Sequence, residues 1–294
     1  MNSSSLRAPK FSAGLWATYL VLAFVAVVMV LPFFWMLSTS LKQDNEIFGE
    51  TIRWIPSVLD WENYRYIFVT LKMEVLFRNT LFVSILAVIA QTILCSMAGY
   101  AFARLDFKGK NVLFIATILT MAVPFEVLVL PLFILVRNIP FMGGNDWMGQ
   151  GGVGMMNSYS GLVFPHLVTV YGIFIFRQFF ISFPKELEDA ARIDGASRAR
   201  IYWSLIMPNA GPVIGTMGLF SFLWAWNDLL WPVVIIKDTN MKTLQAGIST
   251  VAQNPSRWGE MMAASVMITV PVIIVFLILQ RFLVQGVATS GLKG

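Results

Sequence analysis

Charge is what this chain has least of. Asp, Glu, Lys and Arg together make up 13% of its 294 residues, about half the share usual in a soluble domain. It has one cysteine and one histidine. A lone Cys95 excludes a disulfide framework and a thiolate metal cluster, and a lone His166 cannot build a metal site. No GxxxxGK[ST] run is present: Gly109-Lys110 is followed by Asn111 and lacks the upstream glycine, so the chain has no visible phosphate cradle. With so few histidines, cysteines and clustered acids, an intramembrane enzyme is a poor fit, and no catalytic residue or metal ligand is assigned. No internal repeat is found. Together with the scarcity of intramembrane charge, that argues against an ion-coupled secondary transporter built from inverted repeats.

What is present is apolar surface. Hydrophobic residues make up 57% of the chain and the mean hydropathy is +0.71. A chain of this length holds about six spans with modest loops and no separate soluble domain. The fold expected is therefore an all-α polytopic membrane protein, a single domain over 1–294, with six transmembrane helices at 14–37, 79–103, 112–136, 161–181, 212–236 and 262–286. The first run is too long, and lacks a small-residue cleavage site, for a cleaved signal peptide. The net charge of +5 is best understood by placement, not as a sign of nucleic-acid binding. Arg7 and Lys10 precede the first span, and Arg104, Lys108 and Lys110 fill the turn after the second. Arg177, Lys185, Arg192, Arg198 and Arg200 gather around 184–208, and Arg281 and Lys293 lie at the tail. This bias puts both termini and the 184–208 loop in the cytoplasm. The stretch 38–77 faces outward, with Trp54-Ile55-Pro56 and Trp61 as an interfacial segment; the glycine-rich loop 139–160 has no expected fixed structure.

One segment breaks the apolar pattern. Residues 184–208 hold Lys185, Glu186, Glu188, Asp189, Arg192, Asp194, Arg198 and Arg200. Pro184 suits the first turn of a helix, and the acids that follow complement its positive end. Leu187, Ala190, Ala191 and Asp194 fall at i, i+3, i+4 and i+7, giving one narrow, small-residue side. Gly195 permits the positive-φ turn that stops the helix. Ser197 is an N-cap for a second helix, which Pro208 ends or bends. An amphipathic helix for a lipid surface would want cations opposite bulky apolar side chains; acids and alanines suit a protein groove instead.

The run Asp189-Ala190-Ala191-x-x-Asp194-Gly195-Ala196, with Met207-Pro208 beyond it, resembles the EAA loop of permease subunits of bacterial ATP-binding-cassette importers. Asp-Gly-Ala after the alanines resembles the carbohydrate, maltose-type branch. Gly99-Tyr100-Ala101-Phe102-Ala103-Arg104, Arg177-Gln178-Phe179-Phe180, Trp226-Asn227-Asp228 and Gly291-Leu292-Lys293-Gly294 carry the same likeness, which covers roughly residues 75–294. The family usually has Glu where this chain has Asp189 after Glu188, so either acid can take that role. The resemblance implies a permease subunit in a bacterial inner membrane, forming half of a sugar path. It implies an ATPase-coupling loop of Glu188, Asp189, Ala190, Ala191, Asp194, Gly195, Ala196 and Pro208. The partners it implies are an ATP-binding subunit dimer, a second permease chain, an extracytoplasmic solute-binding protein, the sugar and membrane lipid. ATP and Mg then belong to the ATPase, and this chain is not itself an enzyme. A permease for glycerol phosphate or polyols is the alternative, although an anionic solute would want cations in the path and the spans offer none deep inside.

Three residues are candidates for that path. Glu126 lies between Pro124 and Pro131, and an acid at membrane depth is costly enough to suggest function; the alternative is that it merely orients a neighbouring helix. Asn227 and Asp228 sit among Trp224, Trp226 and Trp231. Aromatic faces with amide and carboxylate partners suit a sugar, whereas tryptophans alone also form an ordinary interfacial belt. His166 is expected to make a structural hydrogen bond. The polar stretch 237–261 corresponds in position to the loop that, in maltose-type permeases, reaches into the binding protein.

Overall fold

The computed structural model describes residues 13–253 and 256–291, and side chains at 14–253 and 256–280. Arg7, Lys10, Lys293 and the 292–294 part of the terminal motif lie outside the described residues, as does the side chain of Arg281. Among the described residues every regular element is helical. The principal helices are α1 (Ala13–Ser40), α2 (Glu62–Thr70), α3 (Met73–Arg104), α4 (Lys110–Leu119) and α5 (Phe125–Arg137), followed by α6 (Val170–Ser182), α7 (Lys185–Ile193), α8 (Gly211–Asn227), α9 (Leu244–Ala252) and α10 (Trp258–Gly291). The chain divides into two compact units, one of residues 1–67 with 254–267 and one of residues 68–253 with 268–294.

In the first unit, α1 is apolar on every side, and none of its most apolar stretch is buried. Order begins where it ends. The buried Asn63 amide donates to the carbonyls of Ser40 and Lys42 at 3.1 and 3.0 Å. Lys42 lies over the Trp35 ring at 4.1 Å and donates to the Arg53 carbonyl. Trp35 and Trp54 meet edge to face, and Arg257 lies over Tyr66 at 4.2 Å.

The second unit is organised on α3. Its buried residues run Met73, Leu76, Thr80, Val83, Ala87, Gln91, Cys95, Gly99 at steps of three and four, one stripe along the helix. A Cβ on Gly99 would lie 2.7 Å from the Phe176 Cβ and 2.9 Å from the Arg177 nitrogen, so α3 and α6 cross with backbones almost touching. Small residues at such crossings are how helices pack where lipid offers no hydrophobic drive between them.

Among the described residues, three helices, Gly14–Ser40, Met73–Arg104 and Trp258–Gln280, are long and apolar enough to cross a membrane, and the number reaches six if each of three bent pairs is one span. The bends modify the expected spans. At 112–136 the two halves turn by 106°, because Val123, extended ahead of Pro124, cannot stay helical. At 161–181 a 53° bend separates Tyr159–His166 from Val170–Ser182. The stretch 212–236 is not one helix: α8 ends at Asn227 and a short helix, Leu230–Ile235, follows.

The glycine-rich loop 139–160, expected to lack fixed structure, is instead closely tied. The Asn145 amide donates to the Arg137 and Ile139 carbonyls, and its oxygen accepts from the Gly152 N–H. A Cβ on Gly143, at φ 57°, would fall 2.1 Å from the Gly154 oxygen. Only glycine allows both that φ and that approach.

Candidate functional site

The 184–208 loop folds largely as its local chemistry dictates. Pro184 is the residue before α7 rather than inside its first turn. The α7 C-terminus is closed by a Schellman motif: Ala196 N–H donates to the Ala191 carbonyl at 2.9 Å and Gly195 N–H to that of Arg192 at 3.0 Å. Gly195 has φ 78° and open space where a Cβ would stand, so a side chain there meets backbone strain and no clash. The Ser197 hydroxyl accepts from the Arg200 N–H at 3.3 Å and caps the second helix.

That second helix does not stop at Pro208. It continues to Asn209, and the chain turns by 78° before Gly211. A π-helical turn, Tyr202–Ile206, precedes the proline. Pro208 has no N–H to give Ser204, four residues back, and its ring crowds that carbonyl, so the helix widens there.

The two sides of α7 differ. Facing the protein, Glu188 is 4% exposed, and its Oε1 lies 2.6 Å from the Arg104 Nε at the end of α3. A second guanidinium nitrogen, Nη2, donates to the Phe183 carbonyl. Burial pushes the Glu188 carboxyl up from its ordinary value, and the Arg104 charge, the next largest influence, pulls it back. Ala191 and Ala196 are half-buried against the same core, with Tyr100, Phe180 and Tyr202. Tyr202 fixes the second helix through its hydroxyl, 2.6 Å from the Ser96 Oγ.

The opposite side is bare. Leu187, Asp189, Ala190, Ile193, Asp194 and Gly195 are exposed, Ile193 at 87%. Asp189 pairs with Arg192 at 3.7 Å, in solvent. The structure thus separates the two candidate acids: Glu188 is spent inside the chain, and Asp189 is presented outside. It also moves Ala191 off the small-residue side and puts Ile193 there. Ile193 had a readable signal in its spacing, since it lies three residues after Ala190.

The path candidates do not form one cluster. Glu126 is exposed, while its neighbour Phe125 packs on His166 and Trp231. Asn227 is exposed; its amide donates to the Leu223 carbonyl at 2.8 Å, and its oxygen accepts from Gln245 at 3.5 Å. Asp228 accepts from the Trp231 N–H at 3.3 Å across the break after α8 and shares a small cavity with His166, Trp224 and Thr243. Trp226 and Trp231 are fully buried and belong neither to a belt nor to a solute surface. Their indole N–H groups donate to the Ile268 and Gly161 carbonyls. The His166 ring packs 4.0 Å from that of Trp224 and its Nε2 finds no partner among the described residues, so the structural hydrogen bond comes from its carbonyl, which accepts from Gln91 at 2.8 Å.

Apolar helices broken at prolines and polar residues, around one charged loop with a bare outer side, make up an all-α membrane permease component. The chain belongs to the family of binding-protein-dependent transport system inner membrane components, whose model matches residues 91–289. It is 33% identical to the arabinooligosaccharides transport system permease protein AraQ of Halalkalibacterium halodurans, over 95% of this chain and 96% of that one. It is 26% identical to the sn-glycerol-3-phosphate transport system permease protein UgpE of Yersinia pestis bv. Antiqua, over 92% of this chain and 95% of that protein. The fold matches the crystal structure of a bacterial ABC transporter involved in the import of the acidic polysaccharide alginate. That match has a TM-score of 0.74 and 22% identity, and covers 93% of this chain and 99% of the other.

Proposed function

We propose that this permease carries a sugar or oligosaccharide across the inner membrane as one half of a permease pair, driven by a separate ATPase that docks on the 184–208 loop. The observation that carries the docking reading is the two-sidedness of α7. Its underside is held by the Arg104–Glu188 pair, while Leu187, Ala190, Ile193, Asp194 and Gly195 stand free. Ala190 and Gly195 allow a partner's surface to approach the backbone, Leu187 and Ile193 offer it apolar contact, and the rigid underside lets a push on the loop reach the membrane helices. Asp189, which stands in the position of the family's usual Glu, is the acid available to the partner. Ala191, Ala196 and Pro208 shape the loop from within. ATP and Mg bind the ATPase, whose dimer closes on nucleotide and shifts the paired permeases between outward- and inward-facing packing. A solute-binding protein delivers the sugar on the outer side, and both termini of this chain lie in the cytoplasm.

Similarity to an arabinooligosaccharide permease along nearly the whole chain supports a sugar as solute. Exposed Asn227 and Glu126, with Asp228 next to Asn227 in sequence, are the residues we place along the path. The weaker likeness to a glycerol-3-phosphate permease favours glycerol phosphate or polyols as the second reading.

The test is mild-detergent purification of the tagged chain carrying Ala190→Cys, followed by cross-linking and mass spectrometry. Recovery of an ATPase joined at that cysteine, with a second permease, supports the reading. A chain that emerges alone and uncross-linked overturns it. Ligand screening of the co-purified binding protein then separates sugars from glycerol phosphate.

A further inference from the structure

The side chains that α3 buries include several polar ones, and five of them, Asn79, Thr80, Gln91, Cys95 and Ser96, bond segments near places where those segments depart from a regular helix. At the end far from the loop, the fully buried Asn79 donates to the Asn240 and Lys242 carbonyls at 2.8 and 3.0 Å. Its oxygen accepts from the Tyr159 hydroxyl at 2.7 Å, and the Thr80 hydroxyl accepts from the Leu244 N–H at 2.7 Å. Midway, Gln91 donates to the His166 carbonyl at 2.8 Å and accepts from Ser221 at 2.7 Å. Cys95 accepts from the Thr169 N–H at 3.3 Å, so both sides of the 167–169 break are held. At the near end, Ser96 meets Tyr202 inside the π-turn, and Arg104 holds Glu188 and the Phe183 carbonyl.

We propose that α3 is the rod that joins the two faces of the permease, and that Asn79 is its positioning residue at the far end. A displacement of α7 is delivered to α3 through Arg104–Glu188 and leaves it through Asn79 and Thr80 into the 238–244 segment. The geometry suits the task. α3 is an unbroken helix of 32 residues without proline, whereas the Lys110–Arg137, Tyr159–Ser182 and Arg198–Asn227 stretches each bend by more than 40°. A bent element absorbs motion at its hinge; a straight one with both ends clamped by buried side chains moves as a body. Arg104 and Asn79 are separated by about 37 Å of helix at 1.5 Å per residue. Side chains so far apart act independently unless a rigid element connects them.

This inference rests on the docking reading, and the experiment separates the two. The whole complex, with its ATPase, is placed in nanodiscs with a spin or fluorescent label on Lys237→Cys, and ATP with orthovanadate is the probe added to the ATPase. Trapping the ATPase should change the label's signal in the parent complex. Asn79→Leu should reduce that change about tenfold, within the range of coupling between distant sites, and Glu188→Gln should do the same from the other end. The double variant should respond no less than either single one, because both cut one rod. Additive losses, or an unchanged response in Asn79→Leu, overturn the proposal. Should Asn79→Leu fail to assemble, Tyr159→Phe removes only the hydroxyl that orients the Asn79 amide, and a full response in that variant overturns it equally. Cross-linking of Ala190→Cys to the ATPase is measured in every sample. Its loss in the parent complex counts against docking, whereas retained cross-linking with additive losses counts against the rod alone.

Discussion

α1 and α3 are nearly the same length, 28 and 32 residues, and both are apolar enough to cross a membrane. They behave differently. The most apolar stretch of α1 has nothing buried, and that of α3 is one-third buried. α3 also carries Asn79, Thr80, Gln91, Cys95 and Ser96, each with a partner from another segment. Apolar surface alone places a helix in lipid and says little about what it holds to, since a lipid tail is as good a neighbour as a leucine. Polar groups inside the bilayer, which must find partners in protein, decide which segments stay together.

This contrast can be broken in graded steps. The largest effect is expected at the end of α3: Arg104→Met leaves the Glu188 carboxylate buried and unpaired, a cost of about 3–5 kcal/mol. Thermal unfolding of the purified complex should show it, and a melting point equal to the parent's would mean the pair is not holding the loop. Gln91→Leu comes next, stranding the His166 carbonyl and the Ser221 hydroxyl, at about 1–3 kcal/mol for a buried group left without its partner. Hydrogen exchange of the amides at 167–169 measures it, because that break should open first. Tyr202→Phe removes one hydroxyl from a buried pair and is expected to cost about 1 kcal/mol, visible as faster exchange in the 198–209 helix. At the other extreme, Val27→Leu on the exposed face of α1 should move stability by no more than about 0.5 kcal/mol. A large loss there would show that α1 has a specific neighbour after all, and would erase the distinction between the two helices.

The sequence discloses these regions unequally, for a physical reason. The turn at Gly195, the cap at Ser197 and the acids of α7 are legible because each acts within a few residues of itself. The break at Pro124 is legible for the same cause, although its 106° is not, since the angle depends on what packs around it. Which acid of the loop faces inward was not readable: Glu188 and Asp189 are adjacent, and only Arg104, 84 positions earlier in the chain, decides between them. The α3 clamps were missed although a signal existed. Asn79 and Gln91 are amides in an apolar run, as informative in principle as Glu126, whose formal charge drew attention instead. The tryptophans misled in the opposite sense. An aromatic cluster at the end of a span looks like a belt or a sugar platform until the indole N–H groups are seen to point at the Ile268 and Gly161 carbonyls. The order in 139–160 was hidden because glycine permits both a floppy loop and a tightly crossed one, and Asn145 chooses the second.

Every partner named above for α3 lies later in the chain: Tyr159, His166, Thr169, Phe183, Glu188, Tyr202, Ser221, Asn240, Lys242 and Leu244. A ribosome therefore delivers α3 to the membrane with its Asn79 and Gln91 amides unanswered, whereas Thr80 and Ser96 can donate to the Leu76 and Ile93 carbonyls of the same helix. The two amides must be sheltered by water, by headgroups or by the insertion machinery until the remaining segments arrive. The nascent helix is in this sense a mould on which later segments are cast one after another, and Asn79 is among the last to be filled. A chain halted before residue 240 would lack the two carbonyls that answer that amide.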